Sequence, residues 1–238
     1  MANHEPGIRL VNAAHCHQAR PWGERVRINS GVVVEEGRVL PRCDWRAPSP
    51  AEIALLTAGD GGPEETLALF NIPQRLHDQW WSLEADQDRD AETKRAAFQE
   101  YAGELLAYLQ FKQLPLPTKC TVSALVHAVD LASTKPNAGG LTAAPACPAT
   151  LGGINLSDEE AALVFLNLGA THLAARIPAP TSFPERALAF LTACSDYPVV
   201  RVALQPGEGF WLPPSPVAYD GDTRGRTEID VQLVLHRE

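Results

Sequence analysis

The C-terminal stretch from Tyr197 to His236 constrains the fold more than any other part of the chain. Short aliphatic and aromatic runs alternate there with turns rich in proline, glycine and aspartate. A turn at Pro206 precedes an aromatic-aliphatic strand, and a proline-rich bend then leads to Tyr219. Such runs, bounded by such turns, are typical of β-strands in sandwiches and barrels. The pattern predicts the closing half of a small β-barrel pocket, with the Tyr219 side chain directed inward.

Length and composition indicate how the chain is organised. With 238 residues, 45% of them hydrophobic, it can bury one sizeable core, so we predict a single domain over residues 1–238. Residues 1–48 form a strand-rich N-terminal segment, 49–114 a helical support, and 115–238 a β-barrel core with one inserted helix. The predicted fold class is α+β and β-rich, with helices packed on the outside of the barrel.

Helix signals are concentrated in the front half. Ser49, Pro50 and Glu52 form the pattern of a capped helix N-terminus, which predicts a helix from Pro50. Prolines also open predicted helical segments over residues 63–70 and 73–81.

The longest predicted helix carries apolar residues from Phe98 to Leu109 at three- and four-residue spacing, and should lie against the barrel's outer wall. Six strand-like segments follow, interrupted by a predicted helix over 184–194: residues 121–129, 153–156, 162–168, 199–204, 209–212 and 229–235.

Charge and cysteine content narrow the class of partner. The net charge is −9 and no dense block of lysine or arginine occurs, which disfavours nucleic acid and anionic membranes and favours a small-molecule partner. The five cysteines are odd in number and form no Cys-x-x-Cys pair, so we expect reduced thiols and a cytoplasmic protein. We also expect no membrane span and no leader peptide, and leave a homodimer open.

Several segments of the back half carry a family resemblance. These are Gly153 to Leu168, Asp196 to Val202, the Pro206 turn, Asp220 to Gly225, and Asp230 with Val231. From about Thr121 onward, roughly half the chain, they resemble bacterial double-stranded β-helix (cupin-like) proteins similar to non-heme iron, 2-oxoglutarate-dependent oxygenases of specialised-metabolite pathways. The resemblance implies a jelly-roll barrel and a function in natural-product biosynthesis.

The chain departs from that family at the metal ligands. Where the family carries Gly-Leu-His-x-Asp, this sequence has Gly140-Leu141-Thr142-Ala-Ala, and where it carries His-Asp-Gly, this sequence has Tyr219-Asp220-Gly. Threonine, alanine and tyrosine do not reproduce the two imidazoles and one carboxylate that hold iron in such enzymes. We therefore expect no metal cofactor, and a metal-independent cyclisation, isomerisation or elimination on a small-molecule intermediate.

Three residues are the candidate catalytic groups. Tyr219 offers a phenol that can donate a proton or a hydrogen bond, and His127 is the candidate general base if it points inward. Asp220 stands beside Tyr219 and is the third candidate. A structural alternative stays open for each: a packed tyrosine, a hydrogen-bonded histidine, and an aspartate that shapes the turn.

Five further residues are candidate substrate contacts. Arg224 and Arg226 lie where the resemblance implies an arginine that grips a carboxylate, and a guanidinium suits that contact because it binds in two parallel hydrogen bonds. Solvent exposure is their alternative. Arg201 is a further inward candidate, Thr142 occupies a family ligand position, and Trp211 is a candidate for an apolar wall.

Two other functions remain open at this point. The first is an active dioxygenase that uses Fe(II) and 2-oxoglutarate with non-standard ligands such as His127, Asp130 or the pair His15 and His17. The second is a non-catalytic small-molecule binding protein that retains the barrel.

Overall fold

A computed structural model describes residues 7–13, 20–35, 38–58, 65–85, 90–111, 119–127, 150–179, 182–222 and 230–237. Over these residues the chain is a mixed structure of strands and helices, which confirms the prediction of a β-rich fold. No helix in these ranges has the length and apolar character needed to cross a bilayer.

The strands are β1 (Arg9–Asn12), β2 (Val26–Ile28), β3 (Val32–Glu35), β4 (Arg38–Pro41), β5 (Thr66–Asn71), β6 (Cys120–His127), β7 (Thr150–Asn155), β8 (Ala161–Leu166), β9 (Val199–Leu204), β10 (Glu208–Trp211), β11 (Tyr219–Asp222) and β12 (Asp230–Arg237). The helices are α1 (Trp22–Arg25), α2 (Pro50–Ala58), α3 (Gln74–Ala85), α4 (Ala91–Phe111), α5 (Ala170–Arg176) and α6 (Phe183–Ala193).

Two sheets and a hairpin contain these strands. One sheet has six strands in the order β1-β5-β10-β7-β12-β6, the other has four in the order β11-β8-β9-β2, and β3 pairs with β4. The pairings are antiparallel except that of β1 with β5. Within the described ranges neither sheet closes on itself into a barrel.

The first core lies between the two sheets. Leu69 and Phe210 of the six-stranded sheet share one buried cluster with Leu163, Phe165 and Val202 of the four-stranded sheet. We call the side of each sheet that contributes to this cluster its inner face. Because side chains alternate along a strand, the neighbouring residues point to the outer faces.

Helices cover both outer faces, as predicted. Leu76 and Trp80 of α3 and Leu105 of α4 pack against Ile154 and Leu233 on the outer face of the six-stranded sheet. On the four-stranded sheet, helices α5 and α6 and the β3–β4 hairpin share a third buried cluster with residues of β8 and β9. The fold is thus layered as helices, sheet, sheet, and helices with a hairpin.

Two local predictions from the sequence are wrong. Residues 63–70 were expected to be helical, yet Thr66–Asn71 is strand β5, which pairs with β1 and β10 and buries Leu67 and Leu69 in the inner core. Helix α5 was not predicted, so two helices rather than one separate β8 from β9. Strands from the front half also complete both sheets, because β1 and β5 join one sheet and β2 joins the other.

Candidate functional site

The inner face of the six-stranded sheet can be followed residue by residue. Leu69 lies opposite Phe210, Phe210 opposite Gly153, Gly153 opposite Val234, and Val234 opposite Ser123. Residues directly opposite each other in a ladder share a face of the sheet. Since Leu69 and Phe210 belong to the core between the sheets, this row marks the inner face from one side of the sheet to the other.

This inner face changes character across the sheet. On β1, β5 and β10 it carries mainly buried apolar residues such as Leu10 and Leu69, with the buried Glu208 at the start of β10. On β12 and β6 it carries Gln232, His236 and Ser123 beside Val234, all of them half-buried. We call Ser123, Gln232, Val234 and His236, together with Tyr219 of β11, the inter-sheet site.

Tyr219 belongs to the facing sheet. It lies opposite Phe165, which is fully buried in the core between the sheets, so Tyr219 occupies the inner face of β11. Its half-buried ring stands 6.2 Å from the Phe210 ring at an interplanar angle of 63°. The inward position that the sequence predicts for Tyr219 is thus found in the structure.

Strands β11 and β12 approach each other across the space between the sheets. A Cβ atom built on Gly221 would stand 3.6 Å from Nε2 of Gln232, which is an ordinary van der Waals contact. Gly221 shares the inner face of β11 with Tyr219, and Gln232 shares the inner face of β12 with His236. Tyr219 and the polar residues of β12 therefore border the same space.

Ser123 and His236 form a polar contact within the inter-sheet site. Ser123 Oγ and His236 Nε2 are 2.8 Å apart, and both residues are half-buried. Ser123 is on β6 and lies opposite Val234 of β12. His236 is two residues beyond Val234 on β12. The sequence gives no signal for this pair because the two residues are 113 positions apart and neither belongs to a motif.

Arg201 and Asp220 lie on the other side of the four-stranded sheet. Both are register partners of Val164, whose side chain belongs to the outer core with α5 and α6. Arg201 Nε donates to Asp222 Oδ2 at 3.2 Å, and Asp220 Oδ1 accepts the N–H of Gly221 at 2.8 Å. Both therefore lie away from the inter-sheet site, on the outer face of the four-stranded sheet.

The other predicted residues are distributed as follows. Trp211, the candidate for an apolar wall, is buried on the outer face of the six-stranded sheet, in the core with α3 and α4 and away from the inter-sheet site. His127 ends β6 opposite Asp230 in the register, and its side chain lies outside the described part of the structure. Also outside the described residues are Thr142, Arg224, Arg226, Asp130, His15 and His17.

The donor set of the inter-sheet site does not fit an oxygenase iron. Such iron is held by two imidazoles and a carboxylate, whereas this site has one imidazole, His236, and no carboxylate among its five residues. Glu208 lies further along the inner face, and its carboxylate is held by Arg25 at 2.9 Å. Nowhere in the described ranges do three histidine, cysteine or acidic side chains gather as a metal site would require.

Comparison of the chain with protein-family models, with curated proteins and with solved structures returned no match. Function depends on the groups that a site presents rather than on the fold that carries it. The functional interpretation therefore rests on the residues of the inter-sheet site.

Proposed function

We propose that this protein is a cupin-like enzyme of small-molecule biosynthesis that binds an intermediate in the inter-sheet site and catalyses a metal-independent cyclisation, isomerisation or elimination. One observation carries the proposal: the polar, half-buried inner face formed by Ser123, Gln232 and His236 borders the same space as Tyr219.

The strand order supports a double-stranded β-helix, the jelly-roll arrangement. Strand β10 lies between β5 and β7, and β12 lies between β7 and β6, so neighbours in the sheet come from distant parts of the chain. Interleaving of this kind in two sheets packed face to face is typical of jelly rolls. Proteins of this architecture can bind ligands between their sheets.

The composition of the inner face favours a ligand-binding role for its polar side. On β5 and β10 the same face carries Leu67, Leu69 and Phe210 in the core between the sheets. Small-molecule sites combine apolar walls with a few convergent polar groups, and this site has both kinds.

The chemistry proposed for the site is proton transfer. The Tyr219 phenol donates to an oxygen of the intermediate on which negative charge develops, while the His236 imidazole accepts a proton from carbon or oxygen. Phe210 and Val234 supply the apolar wall that orients the intermediate. A positioned acid or base of this kind contributes about 10²- to 10⁴-fold to a rate.

Two tyrosine variants test the proposal. The purified protein is incubated with an extract of small metabolites, and consumed and formed compounds are followed by mass spectrometry. We expect a conversion that Tyr219→Phe slows at least about 10²-fold. Tyr197→Phe is the matched control, because the Tyr197 hydroxyl donates to the Asn167 carbonyl at 3.2 Å within the outer core. Equal conversion by wild type and by folded Tyr219→Phe would refute the proposal.

The same assay separates the competing functions. Retention of a compound on the protein without conversion indicates a non-catalytic binding protein. Oxygen consumption that depends on added Fe(II) and 2-oxoglutarate indicates a dioxygenase whose ligands come from other parts of the chain. Either result overturns the proposal of a metal-independent enzyme.

A further inference from the structure

We propose that Ser123 and His236 are a nucleophile and its base, which give the inter-sheet site an acyl-transfer activity toward an ester or thioester. This inference rests on the proposed function only in placing the ligand between the sheets. Its foundation is the 2.8 Å contact of Ser123 Oγ with His236 Nε2, both of them half-buried residues.

The backbone holds the two side chains in place. Strand β12 is hydrogen-bonded to β7 on one side and to β6 on the other, so His236 stands on a central strand, and Ser123 stands on β6, the last strand of the described sheet. On the outer side of β12, Leu233 and Leu235 are fully buried. A reactive group on a strand keeps its geometry better than one on a loop.

A register shift accompanies the pair. The pairing of β12 with β7 slips between Leu235 and His236, whereas the pairing with β6 continues unbroken to Arg237. Irregularities of this kind occur preferentially at sheet edges and beside active sites, where they redirect a side chain. The shift falls at the position of the imidazole that contacts Ser123.

Acylation of Ser123 needs only the ester or thioester, and release of the acyl group needs water. In the tautomer that leaves Nε2 unprotonated, the Ser123 hydroxyl donates to it, and imidazole takes that proton as Oγ attacks the carbonyl carbon. The Oγ–C bond forms, the bond to the alcohol or thiol breaks, and the leaving group takes the proton from His236. Water then attacks the acyl-serine, His236 accepts its proton, the C–Oγ bond breaks, and Oγ regains a proton.

A fluorophosphonate tests the pair without a known substrate. Attack by Ser123 forms an Oγ–P bond, breaks the P–F bond and releases fluoride, while His236 receives the hydroxyl proton. We expect one adduct per chain by intact mass and its location at Ser123 by peptide mapping of the wild-type protein.

Three variants complete the experiment. Ser123→Ala should abolish the adduct, and His236→Asn should slow its formation at least about 10²-fold. Ser82→Ala is the control, because the exposed Ser82 hydroxyl donates to the Asp78 carbonyl on α3, away from the inter-sheet site.

The outcomes separate this inference from the proposed function. Two results overturn the assignment of Ser123 as nucleophile and His236 as base. One is the absence of an adduct at Ser123 in the folded wild-type protein, and the other is an unchanged labelling rate in His236→Asn. If the metabolite conversion still depends on Tyr219 in that case, the proposed function stands. If Ser123 is labelled but no metabolite conversion depends on Tyr219, the nucleophile and base are supported and the proposed function is overturned.

Discussion

Substitution of Glu208 by glutamine should destabilise the protein far more than loss of a surface ion pair. The Glu208 carboxylate contacts Arg25 Nη2 at 2.9 Å, and the side chains are 6% and 0% exposed. The carboxylate also accepts the backbone N–H of Gln205 at 2.7 Å, so it links the turn before β10 to the residue before β2. Glutamine keeps the size and an acceptor oxygen but leaves the Arg25 cation without its carboxylate.

The magnitude follows from the cost of an uncompensated buried charge. Removing one partner of a buried ion pair destabilises proteins by about 3–5 kcal/mol. Exposed pairs contribute only about 0–1 kcal/mol. The matched control is Glu104→Gln, since Glu104 contacts Arg75 at 2.6 Å with side chains 38% and 67% exposed.

Urea unfolding measures both variants. The free energy of unfolding is extrapolated linearly to water, and an unchanged slope shows that native-state stability rather than compactness has changed. We expect a loss of about 3–5 kcal/mol for Glu208→Gln and a far smaller loss for Glu104→Gln. The double variant Arg25→Met with Glu208→Leu should recover part of the loss, because it removes both members of the buried pair. A loss below about 1 kcal/mol in Glu208→Gln would contradict the reasoning.

Three further predictions concern separate parts of the molecule. The hydrogen bond from Arg46 lowers the pKa of Glu52 to about 2. The folded-state pKa is therefore below the ordinary value of 4.5, so the ionised carboxylate stabilises the fold above pH 4.5, and this stabilisation is lost as the pH falls toward 2. In unfolding experiments at a series of pH values, Glu52→Gln should reduce the decrease of the free energy of unfolding over this range. Gly103→Ala, in the exposed middle of α4 with no atom within 4 Å of the new Cβ, should raise the free energy of unfolding by about 0.5–1 kcal/mol. Arg201→Met should leave fluorophosphonate labelling of Ser123 within about two-fold of wild type, because it removes a contact on the outer face; a larger change would contradict the face assignment.

Sequence signals succeed where the cause is local. The predicted helix at Pro50 is present, and its capping box forms as the residue types indicate: Ser49 N–H donates to Glu52 at 2.7 Å, and Glu52 N–H donates to Ser49 Oγ at 3.3 Å. Strand Val199–Leu204 also has the predicted bounds, because five of its six residues are apolar and turn residues flank it. Both patterns depend on neighbours within a few positions.

The failures come from partners that are distant in sequence. Residues 63–70 open with Pro-Glu-Glu, a typical helix start, but pairing with β1 and β10 makes Thr66–Asn71 a strand. The position of Arg201 could not be predicted for a different reason. Alternation in the sequence shows which residues share a face of a strand, but only the packing against α5 and α6 shows whether that face is the inner or the outer one. Tyr219 and Asp220 differ by one position and therefore lie on opposite faces.

The inter-sheet site and the stability of the fold depend on opposite faces of the same strand. The outer face of β12 places Val231, Leu233 and Leu235 in the core with α3 and α4, each at most 4% exposed. A fully buried aliphatic side chain of this size stabilises a protein by about 1.5–3 kcal/mol. The half-buried residues on the inner face contribute less to stability, so Gln232 and His236 can be selected for their chemistry. Substitutions on the inner face of β12 should therefore impair function with little loss of stability, and those on its outer face should do the reverse.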